Sequence, residues 1–554
     1  MTRRVEEAGD KSGAVNNPAE VVLHSVENPD RECYLVSLSG LNAIRSLAGI
    51  ARRRPLAAAL CGLLVLLVRA AELPRLPIPE PGVHDEFSYL LAADTFASGR
   101  ITNSAHPMWK HFESFHILQL PYYESMYPPG QGLLLAAGQA FLGHPWWGVY
   151  LSMGLLCYCL CWMLQGWLPP GWAFLGGLLM TMRIGVFSSW MNSYWGGAVA
   201  GIGGALMFGA LPRLQKRPRI RDGVLLGLGL AILANSRPYE GLVASIPVVA
   251  ALLRRPSRRV LVPIAMVVSI AGAATAYYCW RTTDHPFLMA HQLNRETYAT
   301  MRFFLWEQPR PEPVYRHAVM RRFYTEWEPN FENAIHQDTL SGWFDAAVGR
   351  SKVEWQFYLG WALSVPLLML PWTLRDRRMR FWLYACPVFL LGIALERYTQ
   401  PHYLSPFVGA LCVLLLQGMR HLWVSRWGRY VAGAVVLACV GGFVQQVVTP
   451  RVPYPYPGNL NRARILRQLE GTAGQHLVMV HYGPGHDVLQ EWVYNRADID
   501  GAKVVWAREM SPAEDQELKD YFRGRKIWVV DADDAEPRLT PAGPAVRLQS
   551  NIAP

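Results

Sequence analysis

The sequence predicts a mainly α, polytopic membrane protein of about eleven transmembrane helices that ends in a small extracytoplasmic α/β domain. Three observations carry this. Of the 554 residues 51% are hydrophobic and only 17% charged, and several apolar runs approach the roughly 20 residues needed to cross a bilayer. The basic residues gather in short clusters between those runs. Beyond residue 450 the apolar runs give way to short alternating strand and helix signals. The clusters account for the net charge of +11 as the positive-inside pattern of membrane proteins, so nucleic acid is not expected as a partner. Nine cysteines form no CxxC pair and no disulfide framework. Cys157, Cys159 and Cys161 fall inside an apolar run and read as small core residues.

Residues 1–51 are polar and lack the apolar core of a signal peptide, which predicts a cytoplasmic, disordered tail. The membrane domain follows over 52–449. If the basic clusters at Arg52–Arg54, Arg213–Arg221, Arg254–Arg259, Arg375–Arg380 and Arg420–Arg429 all face the cytoplasm, an even number of crossings separates each neighbouring pair. Pro55 to Leu73 then runs outward into a loop over 74–145. Within that loop Gly130 to Gly143 is apolar but short, a helix lying in or dipping into the outer interface. Trp146 to Leu168 returns, Trp172 to Phe187 goes out, and Gly197 to Leu211 comes back.

Gly223 to Leu253 is apolar but interrupted by NSRPYEG (Asn235 to Gly241). One continuous span would hold Arg237 and Glu240 near the bilayer centre, at about 2.5–3.5 kcal/mol per charge. A hairpin of two short helices, broken at Pro238 and Gly241, sets both at an outward tip instead. Val260 to Trp280 leads into a second outer loop over 281–354, and Trp355 to Leu374 returns. Phe381 to Leu395 exits to ERYTQPHY (Glu396 to Tyr403), Leu404 to Met419 returns, and Tyr430 to Val448 is the last outward crossing.

The terminal domain, 450–554, opens with a Pro-rich linker, VPYPYPGN (Val452 to Asn459). HLVMVHY, KVVWARE and KIWVVDAD read as strands, DVLQEWVYN and SPAEDQELKDYF as helices, the pattern of a small parallel sheet. HYGPGH reads as a tight strand-to-helix turn and lacks the full nucleotide fingerprint.

The candidate chemistry lies on the outer side. HDEFSYL places Asp85 and Glu86 together just past the first span, with Tyr89 one helical turn from Asp85. A carboxylate there can take a proton, or the pair can simply cap a helix start. Arg237 and Arg397 stand at outer ends of spans, where a cation can meet an anionic group or anchor the helix in the interface. His402 and Tyr403 are available beside Arg397. His84, His106, His111 and His116 recur without helical spacing and read as exposed loop histidines rather than zinc ligands. Trp146, Trp147, Trp190 and Trp195 read as an interfacial aromatic belt.

Asp85-Glu86-Phe87-Ser88-Tyr89, with Gly99 closing its helix, and Tyr127-Pro128-Pro129-Gly130, opening the next, resemble the GT-C superfamily of membrane glycosyltransferases. The likeness is greatest to the branch of the protein mannosyltransferases and the aminoarabinose transferase of lipid A. The chain departs from that pattern at Tyr127, where a Lys is frequent, and at SSWMNSYWGG, which holds no carboxylate.

The resemblance implies inverting transfer of a sugar from a polyprenyl-phosphate donor to a hydroxyl of a glycan, lipid or protein acceptor. It implies a bacterial inner-membrane protein with the N-terminus cytoplasmic and the terminal domain periplasmic. Asp85 would be the general base and Glu86 its neighbour in the catalytic pair. Tyr89, Tyr127, Asn192, Tyr194, Arg237, Glu240, Arg397, His402 and Tyr403 would contact substrate. No cofactor is assigned, and a divalent cation near Asp85 and Glu86 is compatible with the pattern. A lipid-linked sugar flippase would instead need polar sites at the membrane midplane. A non-catalytic envelope assembly protein would use the terminal domain to bind a partner.

Overall fold

Helix boundaries follow the breaks that the sequence supplies. The structure, a computed structural model, describes residues 46–254, 256–451 and 459–542. The chain divides into two units, Met1–Ile50 and Ala51–Pro554. Of the first, only 46–50 is described, as helix. The tail expected over 1–51 therefore lies almost wholly outside the described residues, as does most of the Pro-rich linker.

The membrane domain is built of helices. Its first half contains α1 (Arg54–Glu72), α2 (His84–Ala97), α3 (Pro129–Leu142), α4 (Trp146–Trp167), α5 (Pro170–Met180), α6 (Gly197–Lys216), α7 (Ile220–Ala234) and α8 (Pro238–Leu253). The second half contains α9 (Arg258–Thr283), α10 (Ala290–Tyr298), α11 (Leu340–Tyr358), α12 (Arg380–Ile393), α13 (Val408–Val424) and α14 (Arg426–Val448). Six of the described helices are long and apolar enough to cross a membrane: α1, α4, α6, α9, Ser405–Val424 and α14. The others of the expected set are shorter, and α7 and α8 form the hairpin expected between Gly223 and Leu253.

The expected single span Trp355 to Leu374 is corrected. Leu340–Tyr358 and Gly360–Arg375 meet at 103°, because Gly360 takes a left-handed φ of 60° that a continuing helix cannot contain. His84, Arg237, Glu396, His402 and Tyr403 meet at one cavity.

Between α2 and α3 the chain builds a small antiparallel sheet of β1 (Asn103–Ser104), β2 (Ile117–Leu118) and β3 (Tyr122–Ser125), in the order β1-β3-β2. The terminal domain covers it. That domain comprises α15 (Leu460–Glu470), β4 (His476–His481), β5 (Val504–Arg508), α16 (Pro512–Tyr521), β6 (Lys526–Asp531) and β7 (Thr540–Pro541). β4 pairs in parallel with both β5 and β6, and β7 joins antiparallel at the edge. Phe87 and Leu91 of α2 share one apolar core with Leu477, Met479 and Val505, and Phe87 stacks on Tyr494 at 4.1 Å.

The helix expected over DVLQEWVYN does not form. Glu491 accepts the N–H groups of Trp492 and Val493 at 2.9 and 2.8 Å. Arg462 takes the carbonyls of Trp492 and Tyr494 at 2.8 and 2.9 Å. These contacts use the backbone groups that a helix would need, and HYGPGH consequently leads into an irregular segment. The aromatic belt is corrected as well. Trp146, Trp190 and Trp195 are buried, with Trp146 donating to the Met191 carbonyl at 3.0 Å beneath the guanidinium of Arg69.

Candidate active site

α2 starts where Val83 is extended and the Glu86 carboxylate turns back. Glu86 accepts the N–H of Gly82 at 2.8 Å, of Val83 at 3.3 Å and of Tyr194 at 3.0 Å. It thereby satisfies free donors of the helix start and ties α2 to the loop before α6. Burial pushes its carboxyl up to about 7, against those three bonds. Asp85, one residue earlier, points the other way, into a cavity of about 280 Å³.

The Tyr127 hydroxyl donates to Asp85 Oδ1. His116 Nδ1 lies 3.0 Å from the same oxygen, and His84 Nδ1 lies 3.5 Å from Oδ2. Burial raises the Asp85 carboxyl, but His116, then His84 and Tyr127, outweigh it and hold Asp85 well below the usual carboxylate range. Tyr89 stacks on Tyr127 with ring centroids 4.3 Å apart. The Tyr127-Pro128-Pro129 turn is held by Gly130, whose N–H donates to the Asn235 carbonyl at 2.7 Å. A Cβ at Gly130 would sit 2.6 Å from that carbonyl, so only glycine lets this turn lie on the tip of the α7–α8 hairpin.

The tip forms the opposite wall. Pro238 opens α8, and Arg237 immediately before it faces Glu240 at 3.6 Å and lies over the Tyr403 ring at 4.2 Å. Burial disfavours the Arg237 charge, but Tyr89, Glu240 and Tyr403 more than compensate and keep the guanidinium protonated. His402 packs on Trp195 at 5.0 Å. Burial, and then Arg237, drives its imidazole well below the ordinary range. The second outer loop adds Arg295, ion-paired to Glu328, and His291, which burial pushes down to about 4. Burial raises the Glu396 carboxyl well above its usual value.

The cavity thus joins Asp85, Tyr89, Tyr127, Arg237, Glu240, His402 and Tyr403. Four other residues expected there stand outside its lining. Glu86 faces backbone donors. Asn192 accepts from Arg69 at 3.0 Å and donates to the Val186 and Ser188 carbonyls. The Tyr194 hydroxyl donates to the Pro79 carbonyl at 2.9 Å. Arg397 is buried with Asp338 and the Ala334 carbonyl, 2.5 and 3.0 Å away.

The histidines are corrected too, since His84, His106, His111 and His116 are all buried. His106 and His111 face the terminal domain through Asp500 and the Arg508 carbonyl, while His84 and His116 line the cavity. Sequence reasoning also missed Trp195, His291, Arg295, Glu328 and Glu396. Of these only Glu396 carried a signal, its place beside Arg397 at the end of a span.

No family model and no curated protein sequence matches the chain. Among solved structures, it is similar to the oligosaccharyltransferase of Archaeoglobus fulgidus, solved with zinc and sulfate, at 10% identity. That match covers 86% of this chain and 67% of the other, with a TM-score of 0.49. It is also similar to ArnT from Cupriavidus metallidurans at 12% identity, over 89% and 93% of the two chains, with a TM-score of 0.48.

Proposed function

We propose that the chain transfers a sugar from a polyprenyl-phosphate donor to an acceptor hydroxyl at the outer face of the membrane. The carrying observation is that one cavity holds a carboxylate, Asp85, together with a buried cation, Arg237, and adjoins an apolar groove. The groove, about 500 Å³ between α7, α8 and α9, shares Pro238 with the cavity. A prenyl chain in the groove would bring its phosphate to Arg237 and its sugar between Arg237 and Asp85.

The acceptor oxygen attacks the anomeric carbon from the side opposite the phosphate and passes its proton to Asp85. The bond from carbon to phosphate oxygen breaks with its electron pair, and polyprenyl phosphate leaves with inversion. Asp85 supplies the base and Arg237 the charge-assisted contact to the leaving phosphate. Tyr127 and Tyr89 orient Asp85. Glu86 is a positioning residue that fixes the start of α2.

The test is purified protein in lipid, given a panel of polyprenyl-phosphate sugars and hydroxyl acceptors, with released carrier and product anomeric configuration as readouts. Acceptor-dependent release with inversion is expected. Retention of configuration, or movement of donor between leaflets without release, would overturn the proposal.

A further inference from the structure

His84, Asp85 and His116 bring three ligand atoms within 4.8 Å of one another. His84 Nδ1 and His116 Nδ1 are 3.0 Å apart, His116 Nδ1 and Asp85 Oδ1 are 3.0 Å apart, and the Tyr127 oxygen lies 3.3 Å from His116 Nδ1. Three ligand atoms from two segments of chain therefore converge on one point. Metal bonds of about 2.0–2.1 Å in a tetrahedron place neighbouring ligands roughly 3.3 Å apart, and the separations of His116 from His84 and from Asp85 lie near that edge.

Two further features favour a cation at the centre. His84 Nε2 has no hydrogen-bond partner among the described residues, so the ring makes its polar contacts through Nδ1 alone. His116 holds a left-handed φ of 58°, an uncommon conformation for a residue with a side chain. Its carbonyl accepts from the Ser88 hydroxyl at 2.7 Å, which fixes the ring over Asp85. Phe115 and Phe323 pack against the imidazoles, the apolar shell that keeps water from competing for a bound ion.

We propose that His84, His116 and Asp85 bind one divalent transition metal of the zinc class, three protein ligands with a fourth position open. Two imidazole nitrogens in a set of three suit zinc, cobalt or nickel, whereas magnesium and calcium take six or more oxygens. The ion would engage Asp85 through Oδ1 and leave Oδ2 for the acceptor proton. The inference concerns binding alone and stands whether or not the transfer reaction does.

The test uses untagged full-length protein in lipid discs, stripped with chelator and titrated with cobalt(II) and then zinc(II). One equivalent of cobalt with the intense visible absorption of tetrahedral coordination, displaced by zinc, is expected in the wild type. His116→Ala and Asp85→Asn should each weaken binding at least tenfold, and His285→Ala, an exposed residue, should leave it unchanged. If His116→Ala does not fold, the wild-type spectrum and a zinc-dependent rise in its unfolding midpoint carry the decision. Only weak octahedral cobalt absorption in the wild type, or a tetrahedral site that survives in His116→Ala, overturns the proposal.

Discussion

Replacing Arg237 separates what this residue does for the fold from what it does for chemistry. Glu240, with 5% of its side chain exposed, faces Arg237 at 3.6 Å. At an effective dielectric of about 20, two charges at that separation attract by about 4–5 kcal/mol. Removing one partner of a buried pair costs about 3–5 kcal/mol, because the other charge is left uncompensated. Arg237→Ala is therefore expected to unfold readily, and its inactivity alone would prove nothing. Adding Glu240→Gln removes the stranded charge, so the double variant should recover most of the lost stability. It should not recover transfer. Losing one preorganised donor to a developing anion costs about 2.7–4 kcal/mol, or 10²–10³ in rate. Arg237→Lys keeps the charge but loses the planar contact with Tyr403 and should fall between. The readouts are the unfolding midpoint in lipid discs and single-turnover release of polyprenyl phosphate. A double variant that folds normally and transfers at the wild-type rate would refute the role given to Arg237.

Three further outcomes follow from the same geometry. Glu86→Ala leaves the N–H groups of Gly82, Val83 and Tyr194 without their acceptor, at about 1–3 kcal/mol for each buried group. A lowered unfolding midpoint is expected, with slower turnover in the folded fraction because the start of α2 no longer holds Asp85 in place. Gly130→Ala drives a Cβ into the Asn235 carbonyl, and overpacking of about 1–3 kcal/mol should appear as lower stability and a raised donor KM. In the terminal domain, burial works against the Glu491 charge, but Arg508 and Tyr482 hold its carboxyl below the ordinary range. Its stabilisation is thus full above the unfolded-state value of about 4.3 and is lost as pH falls through the lower folded value. Thermal unfolding scanned down from neutral pH should show an acid limb that Glu491→Gln removes, at a cost of about 3–5 kcal/mol at neutral pH.

Asp85, Tyr127 and the hairpin tip were legible because each lies where a helix breaks. Which of two adjacent carboxylates turns inward was not legible. Glu86 does so because the N–H of Tyr194, 108 residues away, arrives at that point. The approach of His84 to His116 depends on a left-handed residue at the start of a two-residue strand, which no spacing rule encodes. The helix expected at DVLQEWVYN has sound local propensity. It yields to Arg462 and Glu491, which take its carbonyl and N–H groups from other parts of the domain. Arg397 shared the position of Arg237 at an outer span end, but Asp338 claims it, a partner visible only once the second outer loop is folded.

The most direct measurement of the central claim is single-turnover carrier release by wild type and Asp85→Asn, in lipid, with one active donor–acceptor pair. Asp85→Asn keeps the size of the side chain and removes the proton acceptor, so a loss of roughly 10²–10⁴-fold with donor affinity retained is expected. Undiminished release from Asp85→Asn would contradict the account.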